Sequence, residues 1–161
     1  GSPRRAVVGW DSGRLAMTLA VLEARCGLAL GGQDVYLNVA GGLRINEPAA
    51  DLAVAAAIVS SLTGEPLPHN AVVFGEVGLS GEVRGVGQHQ TRLKEAAKLG
   101  FTRALVPQQT AKAEKRRKSS MEILEIGHLQ DLLAHFATAA HVTAEQTSQE
   151  KPLALKRGKR H

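Results

Sequence analysis

The chain has 161 residues, 43% of them apolar and 3% aromatic. That is room for one domain with a core of Ala, Val and Leu but not for two, and it argues against an aromatic surface for stacking single-stranded bases. The net charge of +5 allows an anionic partner without naming one, and the excess sits in Lys112–Lys118 (KAEKRRK) and in the terminal LKRGKRH, Leu155–His161. Cys26 stands alone, which leaves no disulfide framework and no zinc cluster and fits a cytosolic origin.

No run is apolar enough to cross a bilayer, and no signal peptide is recognisable. Gly1-Ser2 has the look of a cloning scar, so residues 1–3 are set apart and the chain is read as a piece of a longer protein. The domain is expected over residues 4–139. Residues 140–161 turn polar and basic and are expected to form a flexible tail.

Arg4–Trp10 reads as a short strand. Asp11 or Ser12 can cap the helix that follows, and Leu15, Leu19, Leu22 and Cys26 recur at helical spacing within it. Gly27 weakens that helix and Gly31-Gly32 is expected to end it. Gln33–Val39 alternates, with Val35, Leu37 and Val39 on one side, as a half-buried strand does. Gly41-Gly42 interrupts, and Leu43–Ile45 is expected to continue the strand past a bulge. Asn46-Glu47-Pro48 is a helix start, with a capping Asn and a Pro suited to the first turn. Ala49–Leu62 is almost wholly apolar and is expected to be a buried central helix, with Asp51 near its positive end and Gly64 closing it.

Val72–Val77 and Glu82–Val86 are expected to pair as a hairpin across the turn Gly78-Leu79-Ser80-Gly81. Thr91–Leu99 places Leu93, Ala96, Ala97 and Leu99 on one helical face, with Gly100 at the C-terminal cap. Arg103–Val106 reads as a strand closed by Pro107, Gln108–Lys118 as a polar helix or basic loop, Glu122–Ile126 as a strand and Leu129–Phe136 as a last amphipathic helix. Mixed strands and helices with hairpins make the class α+β.

Two stretches together carry a resemblance: DVYLNVAGGLRINEPAADLAVAAAIVSSLTGEPLP, and VVFGEVGLSGEVRGVG followed by RLKEAAKLGFTRALVP. They resemble the Lon protease-like domain, in the version that ends the RadA (Sms) family of bacterial recombination proteins, paralogues of RecA. The resemblance covers most of Arg5–Phe136 and implies the fold of ribosomal protein S5 domain 2. Proteolytic members hold a Ser in Gly-Pro-Ser-Ala-Gly at the start of the central helix and a Lys after the hairpin. Here Glu47-Pro48-Ala49-Ala50-Asp51 puts Ala49 in the nucleophile's place, and Val86-Gly87-Gln88-His89-Gln90 puts Gln90 in the lysine's place. A methyl cannot attack a carbonyl, and an amide is no base at neutral pH.

The resemblance thus implies a non-catalytic domain that supports a hexameric ring and contacts DNA, mainly double-stranded, during homologous recombination, DNA repair and branch migration. A zinc finger and an ATPase core are implied upstream. ATP, magnesium and zinc are expected only there, since this chain has no G-x-x-x-x-G-K-[ST] loop and no paired cysteines. The place implied is the bacterial cytoplasm, on the nucleoid when DNA is bound.

Candidate DNA contacts follow from charge, each beside a plainer reading. Lys112, Lys115, Arg116, Arg117 and Lys118 form the densest basic run, for phosphates or as a solvated loop. Lys156, Arg157, Lys159 and Arg160 form a basic arm or a solubilising end. Arg44, Arg84 and Arg92 fall on folded elements, either as a basic face or in surface salt bridges with Glu47, Glu82 or Glu95. Glu76 and Glu82 read as hairpin surface charge, His89 as a loop residue and Trp10 as a core residue or a subunit anchor. Two rivals remain: a purely structural oligomerisation scaffold, and a Ser-Lys peptidase with a displaced nucleophile such as Ser60 or Ser80.

Overall fold

A computed structural model describes residues 1–109 and 120–137. Strand β1 (Arg5–Val8) leads into α1 (Ser12–Cys26), which returns the chain to β2 (Val35–Asn38), parallel to β1. Asp11 is the cap: its carboxylate accepts from the Arg14 amide at 2.7 Å. Gly27, not Gly31-Gly32, ends this helix. It stands at φ 68°, a left-handed conformation open to a residue without a Cβ, and its N–H bonds the Glu23 carbonyl.

The expected strand at Leu43–Ile45 is absent. Ala40–Gly42 form a single 3-10 turn, and in the segment beyond the Ile45 amide donates to the Gly9 carbonyl at 2.9 Å while Ile45 packs against the main core. Asn46 caps nothing: Pro48–Ala50 make a second 3-10 turn, and the central helix α2 runs over Asp51–Thr63. Gly64 caps it as read from the sequence.

The long hairpin expected after α2 is two structures. β3 (Ala71–Val73) pairs parallel with β6 (Arg103–Pro107), while only β4 (Glu76–Val77) and β5 (Val83–Arg84) pair as a hairpin. Gly75 divides them. A Cβ there would lie 2.9 Å from Val83 and 3.2 Å from both Leu52 and Pro107, so the chain crosses close to the core at a point that accepts no side chain. Helix α3 (His89–Lys98) then carries the chain to β6, and β7 (Glu122–Ile126) completes a parallel sheet of order β3-β6-β7. A last helix, α4, covers residues 129–137.

Alternate residues of β6 explain the two cores. Leu105 joins the main cluster, with Leu15, Leu22, Leu52, Val59 and Leu132 from the helices. Ala104 and Val106 face a smaller cluster with Ala49, Phe74, Ala96 and Met121. The β3-β6-β7 sheet is therefore covered on both faces, as parallel sheets are. The β1–β2 ribbon is not: Val8 is 61% and Tyr36 64% exposed. α3 is also less buried than its pattern suggested, since Ala97 is exposed and Leu99 is 76% exposed. The result is a small single α+β domain built largely on parallel pairs.

Candidate functional site

The start of α2 is fixed before any side chain is considered. The Gly75 amide donates to the Ala49 carbonyl at 2.8 Å, and the Leu52 amide donates to the Gly75 carbonyl at 3.0 Å. Beside this bracket, Asp51 is fully buried. Arg14 donates Nε to Oδ1 at 2.9 Å and a terminal nitrogen to Oδ2 at 2.6 Å, and the Val77 amide adds a third bond at 3.1 Å. The Asp51 hydrogen bond raises the Arg14 pKa further above an already high value.

Across from the bracket, α3 begins after Gln88, which holds φ 61° without a side-chain cap. Between Glu47 and the start of α3 lies an open groove of about 530 Å³, lined by Glu47, Gly87, Gln88, Thr91, Arg92 and Glu95. Arg92 spans it. Its Nε donates to the Gly87 carbonyl at 2.9 Å, a terminal nitrogen pairs with Glu47, and the guanidinium stands 5.8 Å from the Phe74 ring centre. His89 meets the same ring edge-on, with centroids 5.2 Å apart, and its Nδ1 lies 3.2 Å from the Gln109 amide nitrogen. Its half-burial pushes its pKa down. The sequence reading of His89 as a loop residue is corrected: it opens α3 and turns inward.

Ala49 is buried in the small cluster and Gln90 is exposed on the first turn of α3. Arg92 and the loop bearing Arg44 are brought together through Glu47, and Arg44 is exposed. Arg84 instead pairs with Glu82 at 2.6 Å on its own hairpin. Glu82 is held below the usual carboxylate range by its own backbone amide and then by Arg84. The pairs anticipated as the plainer reading are thus present for Arg84 and Arg92, while Glu95 pairs with Lys98 at 2.8 Å. Lys112, Lys115, Arg116, Arg117, Lys118, Lys156, Arg157, Lys159 and Arg160 lie outside the described residues.

The Ser60 hydroxyl donates to the Glu65 carbonyl at 2.7 Å, and Ser80 lies in the hairpin turn, its carbonyl 2.8 Å from His128 Nε2. The described lysines are Lys94 and Lys98, and neither meets a serine. Trp10 is a core residue, and its indole N–H has no partner among the described residues. Among those residues no three His, Cys, Asp or Glu gather as metal ligands, and no helix is long and apolar enough to cross a membrane. The Arg14–Asp51 pair was missed from the sequence: both residues were visible, but nothing local links positions so far apart.

Residues 14–110, more than half of the chain, match the domain model described as subunit ChlI of Mg-chelatase, and the chain belongs to that family. Over longer stretches it is similar to proteins named DNA repair protein RadA. It is 58% identical to that of Brucella abortus over 139 residues, which is 86% of this chain and 29% of the relative. The Pseudomonas aeruginosa protein is 50% identical over 82% of this chain, and the Escherichia coli protein 49% over 84%, each again covered to 29%. The chain thus spans under a third of the length of these curated relatives.

Proposed function

We propose that this chain is the non-catalytic, Lon-like module of a RadA-type DNA repair and recombination protein, with the ribosomal protein S5 domain 2 fold. In this reading it contacts phosphates of double-stranded DNA and helps to hold a hexameric ring together. The observation that carries it is identity of about half or more, over four fifths of the chain, to proteins named DNA repair protein RadA. ATP hydrolysis, with its magnesium, and zinc binding belong in this reading to the longer protein, which works in the bacterial cytoplasm and drives branch migration.

The lack of peptidase chemistry is argued from residues. Ala49 offers a methyl where a nucleophile is needed, and Gln90 is an exposed amide where a desolvated amine is needed. DNA contact falls in this reading to Arg44 in the loop before α2, Arg84 on β5 and Arg92 on α3. The ion pairs of the last two do not oppose it, because exposed pairs are worth at most about 1 kcal/mol and yield to a polyanion.

The experiment is a mobility shift of the whole chain on duplex DNA. A shift at low salt that disappears by a few hundred millimolar supports the reading, since each phosphate contact steepens the logarithmic salt slope by about 0.9. No shift at low salt leaves the purely structural scaffold as the function.

A further inference from the structure

The groove at the head of α2 contains a cation already occupied by an anion of the same chain. Arg92 is held from behind by the Gly87 carbonyl and the face of Phe74, and only its outer side meets Glu47. The Arg92 side chain is 29% exposed and that of Glu47 51%, so the carboxylate is the freer of the two. The other terminal nitrogen of Arg92 has no partner among the described residues. Three positions before Glu47, on the same loop, Arg44 is exposed and also without an ion-pair partner among the described residues. The second acid of the groove, Glu95, is engaged by Lys98.

We propose that Glu47 is a built-in competitor for phosphate. Its carboxylate occupies on Arg92 the place that a backbone phosphate of DNA takes, and it swings aside when that phosphate binds between Arg92 and Arg44. The inference rests on the DNA-contact reading above. A carboxylate and a phosphodiester each carry one negative charge on two oxygens and suit the same guanidinium fork. The incumbent is tethered and so outcompetes single anions, but its exposed pair is weak. A polymer that engages Arg44 at the same time, with release of its counterions, displaces it. Glu47 therefore selects a phosphate chain over an isolated phosphate.

The test is a mutant cycle on the whole chain, with a labelled duplex oligonucleotide read by anisotropy across a salt series. Glu47→Gln is expected to tighten binding about fivefold, the size of a released exposed pair, and to leave the logarithmic salt slope unchanged, since the wild type makes the same phosphate contact. In an Arg92→Gln background the same change is expected to have no more effect than Glu122→Gln, which frees Arg103 of β6, outside the groove lining, and measures the bare charge effect. The inference is overturned if Glu47→Gln weakens binding or leaves it unchanged, if it acts equally without Arg92, or if it matches Glu122→Gln. Binding by the wild type with any of these results defeats only this inference. No binding by either protein at low salt defeats the DNA reading, and this one with it.

Discussion

Asp51 and Arg14 join α1 and α2, two helices of the main core, through a carboxylate with no exposure to solvent, gripped at both oxygens. Removing one partner strands the other. Arg14→Ala leaves the Asp51 carboxylate buried and without its cation and is expected to cost about 3–5 kcal/mol. Replacing both by apolar residues of similar size often restores such losses, but here the Val77 amide also depends on Asp51. The double apolar variant is therefore expected to stay about 1–3 kcal/mol below wild type, the cost of an orphaned buried N–H. Urea denaturation of the three proteins checks both values.

Gly75 and Gly85 make a matched pair of tests. Alanine at Gly75 presses on Val83, Leu52 and Pro107 and is expected to cost about 1–3 kcal/mol, as overpacking does. Alanine at Gly85 meets nothing within 4 Å and is expected to stay within about 0.5 kcal/mol of wild type. Equal destabilisation of the two variants would contradict the crossing at Gly75.

His89 confers a pH dependence with a definite sign. Burial lowers its folded pKa below the unfolded value of about 6.5. Protonation then favours the unfolded chain, so its contribution is complete above that value and is lost as pH falls through it toward the folded pKa. The thermal midpoint of wild type is expected to fall more between pH 7.5 and pH 5.5, two conditions set about one unit either side of 6.5, than that of His89→Phe. The aromatic replacement keeps a ring against Phe74.

Restoring the dyad letters is not expected to restore chemistry. Ala49→Ser with Gln90→Lys places a hydroxyl inside an apolar cluster and an ammonium in solvent, where it stays charged and cannot act as base. No turnover of casein or of a fluorogenic peptide should appear. The buried hydroxyl alone is expected to cost about 1–3 kcal/mol. Activity that survives repurification would show that the two positions face each other.

Two sets of cations are separable by mutation and deletion. Arg44, Arg84 and Arg92 changed together to alanine are expected to lower the logarithmic salt slope of duplex binding by up to about 0.9 for each arginine that engages a phosphate. Removal of residues 140–161 tests the tail on its own. Weakening by the tail deletion alone would assign DNA contact to the tail and not to the folded face.

Where local chemistry decides, the sequence was readable. The apolar run of α2 with Gly64 behind it, the cap at Asp11 and the glycine after α3 all depend on neighbours within a few positions. The long hairpin was misjudged because Val72–Val77 reads locally as one strand rich in Val and Phe, while its division at Gly75 depends on β6, which lies some thirty positions away. Leu99 kept a helical spacing but gained no cover, since α3 packs chiefly through Ala96 and Leu93. In the groove, the charged residues were legible as a set. Their pairing was not, because Glu47 and Arg92 meet only once the 3-10 turn and α3 are folded together.

The bracket at Gly75 has a bearing on how such a domain changes over time. Both bonds that seat the head of α2 are made by main-chain atoms, so this hydrogen-bonded seat is independent of which side chain stands at position 49. What limits that position is the packing of the small cluster, in which Ala49 is buried against its neighbours.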